Sequence, residues 1–113
     1  MVRVEILENL YLKIEEKFGG DANKIFDLMK SLENNPKKGK LLGGVGGVVI
    51  KEIRYKSFRF YFIADGFKLR CLDSSELIDL LIKFVRMSDK KSQQKMINEI
   101  RGILQKVGVE GFD

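Results

Sequence analysis

Two short runs, residues 48–55 and 58–64, place β-branched or aromatic residues at nearly every second position. That pattern suits a pleated surface buried on at least one side, so two adjacent strands are expected. A two-residue Lys56-Ser57 loop between them pairs Tyr55 with Phe58, Arg54 with Arg59 and Glu52 with Tyr61. Asp65-Gly66 then reads as a second two-residue hairpin turn, since glycine accepts positive φ without steric cost. It predicts a third strand at 67–72, pairing Ala64 with Phe67, Phe62 with Leu69, Tyr61 with Arg70 and Phe60 with Cys71.

Opposed residues share a face and neighbours along a strand alternate, so these registers sort the side chains into two sets. One face collects Ile53, Tyr55, Phe58, Phe60, Phe62, Leu69 and Cys71. It is the expected core, each large apolar side chain contributing about 1.5–3 kcal/mol on burial. The other collects Glu52, Arg54, Arg59, Tyr61, Lys68 and Arg70. That face is either a cationic site or a solvated surface laced by cross-strand ion pairs of about 0–1 kcal/mol each.

The flanking segments read as follows. Val2, Val4 and Ile6 alternate with charged residues as a short strand, and helical periodicity begins near Glu8. After Gly19-Gly20, Asp21 is placed to cap a helix over 22–33 whose apolar stripe is Ile25, Leu28, Met29 and Leu32. Asn34-Asn35-Pro36 ends it, and residues 37–47 read as a basic, glycine-rich connection. Gly43, Gly44, Gly46 and Gly47 match neither phosphate-loop pattern, so a flexible loop is expected there. Residues 73–87 leave two readings open. Asp73-Ser-Ser-Glu76 resembles a capping box before helically spaced Leu77, Leu80, Leu81 and Phe84, and a buried strand at 78–86 fits equally well. The last segment, 89–106, reads as a helix with Met96, Ile100, Ile103, Leu104 and Val107 on one face and Gly108 as its stop.

Composition narrows the chemistry. At 113 residues the chain, 1–113, is expected to form one domain. It has no histidine and a single cysteine, Cys71. Catalytic triads built on imidazole are thereby excluded, no zinc-ligand spacing exists, and neither a metal nor a cofactor is expected. No apolar run approaches a membrane span, and Glu5 and Glu8 interrupt the N-terminal segment, so a cytoplasmic protein with no membrane partner is expected. The formal charge of +5 is unevenly spread: residues 36–70 hold nine basic and two acidic side chains, and 83–106 hold seven and two. Such blocks favour a polyanion, nucleic acid first.

Leu41-Leu42-Gly43, then Val49-Ile50-Lys51-Glu52-Ile53-Arg54 and Phe58-Arg59-Phe60-Tyr61-Phe62, resemble the central hairpin of the RelE/HigB/ParE toxin superfamily. Ile82-Lys83-Phe84-Val85-Arg86 with Lys90-Lys91 is similar to the last strand and C-terminal helix of HigB-type members. The resemblance covers about residues 36–105. It implies an α+β fold in which N-terminal helices pack on a small, twisted, mostly antiparallel sheet followed by a C-terminal helix. It also implies an mRNA interferase that cuts mRNA on the ribosome through the substrate's own 2′-OH, or a ParE-like inhibitor that cuts nothing, with an antitoxin protein as partner. Carried onto this chain, it makes Arg59 and Arg86 the phosphate-contacting, charge-stabilising residues, supported by Arg54. Glu52, Tyr61 or a lysine of lowered pKa is left for proton transfer. Lys68, Arg70, Lys83, Lys90 and Lys91 are expected to contact RNA.

Overall fold

In the computed structural model, which describes residues 1–72 and 78–112, the alternating runs form the centre of a five-stranded sheet of order β1-β5-β4-β3-β2. The strands are β1 (Val2–Ile6), β2 (Lys40–Val45), β3 (Val48–Tyr55), β4 (Phe58–Asp65) and β5 (Leu80–Asp89). The β3–β4 register is the expected one, with Tyr55 opposite Phe58, Arg54 opposite Arg59 and Glu52 opposite Tyr61. Every pair is antiparallel except β1 with β5. The fold is α+β, with helices between β1 and β2, between β4 and β5, and after β5.

Both faces of the sheet are covered. Helices α1 (Glu8–Phe18) and α2 (Ala22–Lys30) bury Leu10, Ile14, Ile25 and Met29 against Ile53, Phe60, Phe62, Ile82 and Phe84. The stripe of α2 runs on into a 3-10 turn at Ser31–Glu33, where Leu32 is fully buried. On the other face, Ile97, Ile100 and Leu104 of the C-terminal helix (Gln93–Lys106) meet Ile50, Tyr61, Ile63, Val85 and Phe112. The face read as either a cationic site or a solvated surface is thus partly roofed by this helix, and its Tyr61 has no accessible surface.

Several expectations are corrected. The Asp65-Gly66 hairpin and the strand at 67–72 do not form; a short helix, α3 (Gly66–Cys71), starts there, and the C-terminal helix is therefore α4. Asp65 caps it, its carboxylate accepting from the Lys68 N–H at 3.0 Å, and Gly66 stays outside the positive-φ region that the hairpin requires. Glycine is needed at 66 for a different reason: its N–H donates to the Gly47 carbonyl at 2.8 Å, and a Cβ there would lie 2.9 Å from Val49 Cγ1. The strand beside β4 is β5 instead. Lys68 and Arg70 consequently leave the sheet and lie exposed on α3, while Leu69 still reaches the helix-side core.

The connection at 37–47 is also more ordered than expected. Lys40–Val45 pairs with β3, and Gly46 and Gly47, at φ 57° and 89°, make the turn. The flexible-loop reading of these glycines therefore fails. Of the two readings of 78–86, the strand is found; the capping box at 73–76 lies outside the described residues. Helix α4 begins at Gln93 rather than 89, leaving Lys90 and Lys91 in the preceding turn, and Val107 is exposed. Finally, Asp21 makes no cap bond; its carboxylate pairs with Lys24 at 3.6 Å and Lys56 at 3.5 Å.

Candidate functional site

Side chains that alternate along β3 and β4 must point the same way in opposed rows, so Glu52, Arg54, Arg59 and Tyr61 lie together on the α4 side. β5 brings Ser88 opposite Arg59 and Arg86 opposite Tyr61. A register shift between Tyr61 and Phe62 places an extra residue in β5 beside Arg86. Bulges re-aim side chains. Here Val85 joins the α4-side core, while the Arg86 guanidinium stands 5.2 Å over the Phe112 ring of that same side.

Glu52 is the hub, and it is 1% exposed. One carboxylate oxygen accepts from Arg54 Nε at 3.2 Å and lies 3.8 Å from Arg59 Nε. The other accepts from the Gln93 amide of α4 at 2.9 Å. Arg59 is nearly as buried: one of its terminal nitrogens donates to the Ser57 carbonyl at 3.1 Å, and its Nε has no hydrogen-bond partner among the described residues. A buried guanidinium donor without an acceptor is an energetic debit, and it points toward an anionic oxygen.

Around this pair the network divides into engaged and open groups. The Ser88 hydroxyl donates to the Asp89 carbonyl at 2.9 Å, so the bond of 2.7 Å between Tyr61 and Ser88 is donated by the phenol. Burial pushes the Tyr61 pKa up and the Glu52 charge adds to it, against the pull of Arg59 and Arg54. Arg86 donates through Nε to Glu99 of α4 at 2.9 Å and through a terminal nitrogen to the Val85 carbonyl at 2.8 Å. Arg54 keeps half of its side chain exposed. Lys90 and Lys91 are exposed in the turn just before Ser92, and the Ser92 N–H donated to Asp89 at 2.8 Å holds that carboxylate below its ordinary pKa.

The structure therefore brings Glu52, Arg54, Arg59, Tyr61 and Arg86 together, with Lys83 further along β5 opposite Ile63. Lys68 and Arg70 stay apart. α3 begins beyond the opposite end of β4 from Arg59, a span of six strand residues or about 20 Å. The lysine whose pKa is lowered by burial is Lys51, with its ammonium 3.0 Å from the Lys37 carbonyl. It alternates with Glu52 and so faces away from the arginines. Ser88, Gln93 and Glu99 were not legible as site residues, because each enters through a bulge or a helix docking that no local pattern encodes.

Among the described residues, no group of three or more histidine, cysteine or acidic side chains is placed to hold a metal ion, and no helix is long and apolar enough to cross a membrane. No family model, no curated protein and no solved structure matches the chain.

Proposed function

We propose that the chain is a toxin-type endoribonuclease, the mRNA interferase of a toxin and antitoxin pair, which cleaves mRNA on the ribosome by 2′-OH transesterification. The observation that carries the reading is the strand register that sets Arg54, Arg59 and Arg86 on one face, the first two paired with the buried Glu52 carboxylate and Arg86 with Glu99. Two helices between β1 and the antiparallel strands, and one after β5, are in keeping with the superfamily resemblance.

In this reaction the substrate's own 2′-oxygen attacks the adjacent phosphorus and the bond to the 5′-oxygen breaks. The protein must hold the phosphate, meet the charge growing on its oxygens and move protons. Arg54 and Arg86 retain accessible side chains and take the phosphate contact. Arg59, locked beneath them with its Nε 3.8 Å from the Glu52 carboxylate, adds fixed positive charge to the face without reorganising. Glu52 is the proton acceptor among these groups, and Tyr61, buried and bonded to Ser88, positions the β4–β5 rows rather than touching RNA. Lys83, Lys90 and Lys91 continue the cationic path, and a short acidic antitoxin covering this face is the expected protein partner.

One observation favours a second reading, a non-catalytic ParE-like or degenerate binding module: both oxygens of Glu52 are already engaged by Arg54 and Gln93. Inducing the chain in cells and mapping mRNA 5′ ends separates the two. The interferase reading expects growth arrest with cuts at codon boundaries, both lost in Arg86→Ala and in the buried conservative variant Arg59→Lys. Arrest with intact mRNA and blocked supercoiling selects the ParE-like reading, and absence of any toxicity overturns both toxin readings.

A further inference from the structure

A cleft of about 600 Å3 opens between α1, the first turn of α4 and the outer edge of β5. It exists because β1 is too short: its pairing ends with Ile6 opposite Phe84, so no strand among the described residues lies beside the outer edge of residues 85–89. Two carbonyls of this stretch are taken by side chains, that of Val85 by Arg86 and that of Asp89 by Ser88; the other main-chain groups of an edge without a neighbouring strand are hydrogen-bonding partners in waiting. The walls are apolar, with Leu10, Phe58, Met87 and Met96. On the rim stand Lys13, Lys17 and Arg86, against the carboxylates of Glu16 and Asp89. The Lys17 ammonium sits 4.9 Å over the Phe58 ring and covers that face, so a planar group reaches the ring by displacing this exposed lysine.

We propose that this cleft seats one nucleobase of the RNA whose phosphate meets Arg86, and that it gives the protein its sequence preference. A base has an apolar face for stacking and polar edges for reading, which are the two things an aromatic wall beside an unpaired strand edge provides. Arg86 belongs both to the cleft lining and to the arginine face, so base and phosphate are neighbours by construction. When the base takes the Phe58 face, Lys17 is released toward the flanking phosphate. The inference rests on the RNA reading of the arginine face, and it adds the site at which one base is read.

The test is fluorescence anisotropy of the whole protein with a labelled octaribonucleotide and an abasic octamer of the same backbone. The intact octamer is expected to bind about tenfold tighter, as one stacked base provides. Lys13→Trp, an exposed rim position that fills the cleft without disturbing the core, is expected to bring the intact octamer down to the abasic level. Phe58→Leu removes the ring and is expected to do the same. Arg86→Ala weakens both octamers alike. Equal binding of the two octamers by the wild-type protein, or an intact-to-abasic ratio unchanged in both cleft variants, overturns the base seat while leaving the RNA reading standing. No binding of either octamer overturns both.

Discussion

Replacing Glu52 with glutamine keeps the shape of the hub and removes its charge. Among the described residues the carboxylate is the only counter-charge for Arg59, whose side chain is 7% exposed, while Arg54 has water as an alternative. Breaking a buried ion pair from one side costs about 3–5 kcal/mol. The amide oxygen of glutamine still accepts one hydrogen bond, and Arg59 keeps the Ser57 carbonyl, so about 2–3 kcal/mol is expected here. With a urea dependence of about 1–3 kcal/mol per molar for a small domain, the unfolding midpoint falls by about 0.7–3 M. The double variant Glu52→Gln, Arg59→Met removes the stranded charge as well and is expected to regain much of the loss. The assay is urea unfolding followed by far-ultraviolet dichroism. A single variant whose midpoint stays within about 0.3 M of wild type refutes the buried-hub reasoning, since such a shift is what surface charges give.

Glu99→Gln tests the contrasting pair: with Arg86 and Glu99 both partly exposed, it is expected to cost under about 1 kcal/mol and to tighten RNA binding at low salt, which anisotropy titration reads. Tyr61 predicts an alkaline limit. Burial raises its pKa, so the unfolded chain loses the phenolic proton first; the contribution is intact below the ordinary tyrosine range near pH 10 and is lost as pH rises through it. Phe at position 61 is expected to flatten that decline in thermal melts, and an unchanged profile counts against the assignment. Asp65→Ala removes the cap of α3 and is expected to cost about 1 kcal/mol, whereas Gly66→Ala, driven against Val49 and the Gly47 carbonyl, costs about 1–3 kcal/mol. Had the hairpin formed, Asp65→Ala would have left the midpoint nearly unmoved.

The β3–β4 register, the stripes of α2 and α4 and the pairing of Glu52 with its arginines are visible in the chain itself, because period-two and period-3.6 patterns are local and a two-residue turn leaves one register. Residues 65–72 show where local information stops. Asp-Gly serves equally as a hairpin turn or as a helix cap with a close-packed glycine, and the approach of Gly47 decided it. The same holds for residues 80–89, whose apolar run suits a helix or a central strand until β1 and β4 are seen on either side. Arg59 and Tyr61 were legible as residues of one face, but whether that face met water depended on where α4 docks, a contact made across more than thirty residues. Alternation tells a side chain which way to point; burial and unmet hydrogen bonds arise only from what the rest of the chain lays over it.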